Sequence, residues 1–563
     1  MFVVFEGIDG CGKTTISNRV VERLKAQGYR VKHLRAEGRF ASTVSESIRE
    51  LSRDSQNLAL DPRAEFLLYV ARDVQLMEES LLPALEDHDI VIADRFLYTA
   101  EVLARFGRHL PPDYVTPVVN AAAAGLAPEL VVLVDLDPSL ARARRKSSKL
   151  VSKGGRTPSR KGLSGVGLSQ RLRAGYRELA AESPERWFTV HNDAPLEEVV
   201  VEVTTLIDAG ARLGASTALR EAQARRTQPR AAPPLSSPEQ ARDAFLHWIQ
   251  LRAEREPQVA AYMLAGLFGG TVDDLRLALA RHAPQVVLAG LAGLTNPLSW
   301  QLREELALLH PAQVARGLTG PAALHPQGQA LQAALFERAP GEVLKGLAQR
   351  DSELAWALRE RAREEHAEAV LFSLSGLACE RSWRLRDSLL AQHRKDLRTH
   401  YGLARAAAKS VQGLSDERAW ALRESTRAAA PLACVGSLAH LSSARSFELR
   451  ASYLRYAPKT VMESLRRLDV PEAWQMRRAV AADVKEALDG MVGVEAEAAW
   501  ALRTEFADQW PSTAVKSLGS LADTPRGQEF VARRLALHGD NVSLLKHATA
   551  IALGLHRGWE GEG

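Results

Sequence analysis

The spacing of apolar positions changes along the chain. Over residues 1–208 short apolar runs alternate with helical patterns. The runs at 2–5, 90–93 and 130–135 predict buried strands, and Arg30–Leu34 and Trp187–His191 are weaker candidates. Between them apolar residues recur every three or four positions, as at Ile16, Val20, Val21 and Leu24, which predicts helices. Strands alternating with helices imply a parallel sheet covered on both faces. Residues 211–238 break this pattern. They are rich in Pro, Ala and Arg and read as an exposed linker.

Beyond residue 238 the pattern is helical and repeats. A Gly or Ser followed by an apolar residue recurs from Gly290-Leu291 to Ser517-Leu518 with a period near 27 residues, one unit being lengthened around His400. Ten positions later most units carry an aromatic: Trp300, Trp356, Trp383, Trp420, Phe447, Trp474 and Trp500; Gly328 and Gly527 replace it in two. Six positions before the small residue there is often a proline, which suits a first helical turn because that N–H has no intrahelical partner. Each unit therefore predicts two short helices. The first opens at the proline, and the second opens near an acidic or capping residue such as Asp351, Asp416 or Asp469. One such pair cannot bury its apolar face alone, so nine units over 284–540 should stack into an α-solenoid. Residues 239–283 and 541–563 would be its irregular ends. The array is similar to HEAT-like solenoids in architecture only.

A chain of 563 residues is too long for one core, and 46% hydrophobic with 25% charged residues fits a globular protein. Net charge of +5 is small for this length and does not indicate a nucleic-acid partner. No apolar run reaches membrane-spanning length. The N-terminus already reads as the first strand, so no leader is expected. Three scattered cysteines, Cys11, Cys379 and Cys434, show no metal spacing and favour a reducing cytoplasm.

The densest chemical signal follows the first strand: Gly7-x-x-x-x-Gly12-Lys13-Thr14, running directly into a helix. Strand, glycine loop and helix form the context of a phosphate-binding P-loop. Gly7, Gly10, Cys11, Gly12, Lys13, Thr14 and Thr15 form the candidate donor site. Backbone N–H groups would curl around phosphate oxygens, with Lys13 on the β/γ-phosphates and the Thr14 hydroxyl facing Mg²⁺.

The longer stretch Phe5-Glu-Gly-Ile-Asp-Gly-Cys-Gly-Lys-Thr-Thr15 resembles the opening of thymidylate kinases. Four further segments follow in that family's order: Arg35-Ala-Glu-Gly38 with Glu46–Leu51, Leu67–Leu76 ending in Leu82-Pro-Ala-Leu85, Val91-Ile-Ala-Asp-Arg-Phe96, and Leu130–Pro138. The resemblance covers about residues 1–208. It implies a P-loop nucleoside monophosphate kinase fold, ATP as donor, Mg²⁺, and a nucleoside monophosphate acceptor, dTMP first among them. It also implies a role for each matching residue. Arg35 and Arg95 would hold the monophosphate, Asp94 would stand by the transferring phosphoryl and Mg²⁺, Asp9 would contact the acceptor sugar, and Tyr69 would stack on the base. Between Asp137 and Glu178 there is no acidic residue but twelve Lys and Arg, where the family keeps its mobile lid. Because Gly10-Cys11 is uncharged, the resemblance implies a lid-supplied arginine, with Arg156 and Arg160 as candidates. The family is dimeric; the sequence leaves open whether that dimer persists beside a 239–563 extension.

Two departures bear on the base. The base helix reads Arg72-Asp73, reversing the family order, and the family's Ala-Tyr-Gln stretch is replaced by Leu97–Ala104. An ionised Asp73 only accepts hydrogen bonds. This leaves three outcomes: a cytosine-type acceptor such as dCMP, weak dTMP activity, or Asp73 turned onto a local arginine. The extension shows no catalytic constellation. Its repeated Trp-x-x-Arg puts both side chains on nearly one helix face. Such a ladder suits either an anionic or acidic partner, or Trp in the inter-unit core with Arg stacked on it. The leading reading is a dTMP-type kinase fused to an interaction domain. The alternative is a regulatory scaffold whose working surface is the array and whose P-loop domain is a slow nucleotide switch.

Overall fold

The computed structural model describes residues 1–34, 42–54, 57, 60–151, 166–224, 234–391 and 400–560. Two compact units result, the first made of residues 1–145 and 156–232 and the second of 146–155 and 233–563. The first contains five strands: β1 Phe2–Glu6, β2 Val31–Leu34, β3 Ile90–Asp94, β4 Leu130–Asp135 and β5 Trp187–His191. All pair in parallel, in the order β2-β3-β1-β4-β5. Both weaker strand candidates are strands. β1, β3 and β4 are buried along their whole length, which is why they read as continuous apolar runs rather than alternation. Among the described residues ten α-helices surround the sheet: α1 Lys13–Ala26, α2 Thr43–Arg53, α3 Pro62–Leu76, α4 Leu82–Asp87, α5 Leu97–Val102, α6 Pro112–Ala123, α7 Pro138–Val151, α8 Val166–Glu182, α9 Leu196–Leu213 and α10 Ala215–Ala224. The last corrects the linker boundary. Residues 215–224 are helical and pack on α9, with Leu219 buried and Gln223 Nε2 donating to Pro184 O. Composition hid this because Ala and Arg serve a helix as well as a linker.

The second unit is all helical, and the two-helix repeat holds. First helices open at Pro284, Pro311, Pro340, Pro431, Pro458 and Pro511. Asp416 caps its helix, but Asp351 and Asp469 instead accept the indole N–H of Trp356 (2.5 Å) and Trp474 (2.7 Å). The two ends of the array meet. The initial helix Pro238–Arg255 packs against the final helix Val542–Ala552, so the row of first helices closes on itself. Closure buries the faces that terminal units of an open array would have to cap with polar residues.

The Trp-x-x-Arg arginines are interior. Arg303, Arg359, Arg386, Arg423, Arg450, Arg477 and Arg503 are at most 1% exposed. Each guanidinium lies 4.6–5.2 Å from its own aromatic ring. Each donates to a carbonyl twelve residues back, as Arg423 Nη2 does to Val411 O at 2.8 Å. Where the next unit carries Ser, Nε also bonds its hydroxyl: Arg359–Ser373, Arg386–Ser410, Arg423–Ser437, Arg450–Ser464 and Arg503–Ser517, at 2.9–3.2 Å. The small-residue position thus receives a hydrogen bond as well as permitting close approach. Burial lowers these guanidinium pKa values to about 10, which still leaves them charged at neutral pH. Glu353, Glu417 and Glu497 pair with a surface arginine of the following unit instead. Among the described residues no helix is long and apolar enough to cross a membrane.

Candidate phosphoryl-transfer site

β1 lies mid-sheet between β3 and β4, so the carboxyl ends of three strands open on one crevice. The loop from Gly7 to Gly12 curls there. Gly7 has φ 138°, and a Cβ on it would lie 2.5 Å from Val134 O, so no other residue fits without a backbone shift. α1 begins at Lys13, whose Nζ donates to Gly7 O and Ile8 O, both at 2.9 Å. Thr14 Oγ1 donates to Asp94 Oδ2 at 2.5 Å, and Thr15 is exposed beside it. Cys11 is fully buried, and its carbonyl accepts from Asn192 Nδ2 at 2.6 Å. Asn192 O in turn accepts from Arg144 Nη2 at 3.0 Å, and the Arg145 side chain lies alongside Gly10.

Arg95 follows β3 with φ 85°, an uncommon conformation for a side-chain-bearing residue. Its Nη1 donates to Gly7 O, Thr99 Oγ1 and Tyr176 OH, and its Nη2 bonds Asp9. Burial works against this charge. Asp9, Tyr176, Glu6 and Asp94 overcome it and hold the pKa above the ordinary arginine value. Glu6, fully buried, accepts from Phe96 N (2.9 Å) and Thr99 Oγ1 (2.8 Å); burial raises its pKa against the pull of Arg95. Asp135, ending β4, binds Arg173, Arg177 and His191; although burial raises its pKa, these partners bring it well below the carboxylate range. Arg173 and Arg177 lie on α8, so this cluster ties the helix that carries the end of the basic block to the sheet.

On the acceptor side, α3 carries Tyr69, Arg72 and Asp73. Arg72 sits over the Tyr69 ring at 4.8 Å and pairs with Asp73 at 2.5 Å, both charges being buried. Of the three outcomes weighed for Asp73, this is the local-arginine one. The structure brings together Lys13, Thr14, Asp94, Arg95 and Asp9. Arg35, Arg156 and Arg160 lie outside the described residues. Glu6, Thr99, Tyr176 and Asn192 escaped the sequence reading. A charged residue inside an apolar run, Glu6 at the end of Phe2–Glu6, was the one available signal.

The family model for thymidylate kinase matches residues 5–203. A thymidylate kinase of Solidesulfovibrio magneticus is 35% identical over 202 residues, 36% of this chain and 95% of that protein. This chain belongs to the thymidylate kinase family. A second thymidylate kinase, from Caldanaerobacter subterraneus subsp. tengcongensis, is 36% identical over 189 residues, 34% of this chain and 86% of that protein. A solved thymidylate kinase from Ehrlichia chaffeensis aligns with 37% of this chain and 98% of its own, at 21% identity and a TM-score of 0.28. The part of the chain that is thymidylate kinase-like is therefore the first unit; the closed array lies beyond residue 203, where the family model ends.

Proposed function

We propose that the first unit transfers the γ-phosphoryl group of ATP to dTMP, in the cytoplasm, and that the helical array is an attached interaction module. The observation that carries this reading is the convergence of Lys13, Thr14, Asp94 and Arg95 at the ends of β1 and β3. Transfer to a phosphate acceptor needs in-line placement and positive charge rather than a strong base. Lys13 would leave the Gly7 and Ile8 carbonyls for the β/γ-phosphates. The Thr14 hydroxyl and Asp94 carboxylate are hard oxygen donors, suited to Mg²⁺; the ion would neutralise charge between the phosphoryl groups. Arg95, fixed by four acceptors, would present its guanidinium to the acceptor phosphate. Asp9 would take the sugar, Arg35 would join Arg95 on the phosphate, and Arg156 or Arg160 would close over the moving group.

The Arg72–Asp73 pair supports a thymine acceptor. A carboxylate already neutralised by its neighbour no longer demands an amino group from the base, and Arg72 lies against Tyr69, where the base would stack. Steady-state assays with ATP, Mg²⁺ and a panel of nucleoside monophosphates should give the highest kcat/KM for dTMP. Preference for dCMP, or no turnover with any monophosphate, would overturn the proposal. Asp73→Asn should leave the dTMP:dCMP ratio within about threefold.

A further inference from the structure

We propose that the array unit containing Trp300 is a docking site for an arginine presented by a partner protein within a short apolar segment. The argument comes from comparing units. Four indoles are covered by an arginine of the following unit: Trp356 by Arg381 (4.5 Å), Trp383 by Arg418 (4.4 Å), Trp420 by Arg445 (4.4 Å) and Trp500 by Arg526 (4.2 Å). Each of these arginines pairs with the glutamate three residues before the Trp, at 2.8–3.3 Å. Arg418 and Arg445 also approach the carboxylate four residues after it, Asp387 at 2.8 Å and Glu424 at 4.0 Å. The repeat thus contains a recurring place for a guanidinium: an aromatic face bordered by carboxylates.

The Trp300 unit keeps the carboxylate four residues after the ring, Glu304, with Glu305 beside it; it has Pro297 in place of the glutamate three residues before the ring, and among the described residues no arginine lies over the indole from the following unit. Twenty-five residues after Trp300, where Arg381 and Arg445 stand relative to theirs, the chain has His325, stacked on the indole at 4.8 Å. Pro326 and Gln327 follow and carry no charge. The Glu304 carboxylate, counterpart of Asp387 and Glu424, makes no ion pair or hydrogen bond among the described residues, and the Glu305 carboxylate accepts there only from Gln301 Nε2. The shorter imidazole leaves a groove of about 590 Å³ lined by Trp300, Gln301, Glu304, Glu305, His325 and Gln327. Arginine fits this chemistry better than lysine, because its planar fork stacks on rings and bonds carboxylates at once. All four filled examples are arginine. The acidic lining repels nucleic acid. Leu308 and Leu309 of this unit and Leu324 of the following one are, at 73, 75 and 64% exposure, the most exposed large apolar residues described. Such side chains, within four residues in sequence of the groove-lining Glu305 and His325, favour a polypeptide with apolar residues beside its arginine.

The test uses the full-length chain and does not depend on kinase activity. Randomised nine-residue peptides with arginine fixed at the centre are selected on the immobilised protein, alongside libraries with citrulline or glutamate at that place. The best peptide is then titrated by fluorescence anisotropy. Arginine peptides with apolar neighbours should be enriched, and the Glu304→Gln/Glu305→Gln variant should weaken them at least tenfold. His325→Arg, which supplies the missing guanidinium from the chain itself, should weaken them similarly while raising the urea midpoint. Equal selection of citrulline peptides, or undiminished binding to both variants, would overturn the proposal. So would preferential selection of glutamate peptides.

Discussion

Ala419→Ser should stabilise the helical array by about 1 kcal/mol. The unit-to-unit differences around the buried arginines supply the reasoning. Arg386 and Arg450 donate through Nη1 to the hydroxyl four residues back, Ser382 at 2.8 Å and Ser446 at 3.0 Å. Those hydroxyls also donate to backbone carbonyls, Ser382 to Cys379 O and Ser446 to Ser443 O. In three other units that position is Ala355, Ala419 or Ala499, and Nη1 of Arg359, Arg423 and Arg503 is buried without a hydrogen bond. A buried donor on a charged group left unmade costs on the order of 1–3 kcal/mol. Serine in place of alanine in a helix costs about 0.5 kcal/mol. The balance favours serine by about 1 kcal/mol, and the sibling units show that the hydroxyl fits. Nine of the ten tryptophans lie in the array, so urea unfolding followed by tryptophan fluorescence reads it directly. With a slope of about 3 kcal/mol/M the midpoint should rise by about 0.3 M. Ser446→Ala should shift it down by a similar amount. In an Arg423→Met background the gain from Ala419→Ser should vanish. A neutral or destabilising Ala419→Ser in a cooperatively folded protein would refute the reasoning, since the orphaned donor would then have found another partner.

Lys13→Ala should abolish detectable turnover with unchanged circular dichroism, because several kcal/mol of transition-state stabilisation would go with that charge; near-wild-type kcat would reject the P-loop assignment. A fragment of residues 1–224, which retains α10, should be soluble and as active as the full chain, while ending it before Ala215 should lower its thermal midpoint by exposing the surface under Leu219. His547 donates through Nδ1 to Ser512 O, and burial, with Lys516 and Lys546 nearby, lowers its pKa to about 3. The unfolded chain, with a histidine pKa near 6.5, therefore binds the proton more readily, and the array should lose stability as pH falls from about 6.5 towards 3, by at most about 1.4 kcal/mol per unit. His547→Gln should flatten that slope in urea midpoints measured between pH 7 and 5.

What the sequence settled was local or periodic. The P-loop could be read because strand, glycines, Lys13 and helix are contiguous, and each glycine answers a steric demand set by the backbone there. The helical units could be read because a small residue, a proline and a Trp-x-x-Arg recur at one spacing. Neither kind of signal says what a side chain meets across space. Spacing put Trp and Arg on one helix face, but only stacking decided that the face is interior, with carbonyls and serines of adjoining segments in place of a partner's anions. Closure of the array depends on the first and last helices meeting, about 300 residues apart, which no single period encodes. The Glu6–Thr99–Tyr176–Arg95 network likewise joins residues on β1, α5, α8 and the end of β3. At Asp73 the sequence allowed three outcomes. Burial chose among them, because an ionised carboxylate withdrawn from water needs a counter-charge within reach, and Arg72 supplies it.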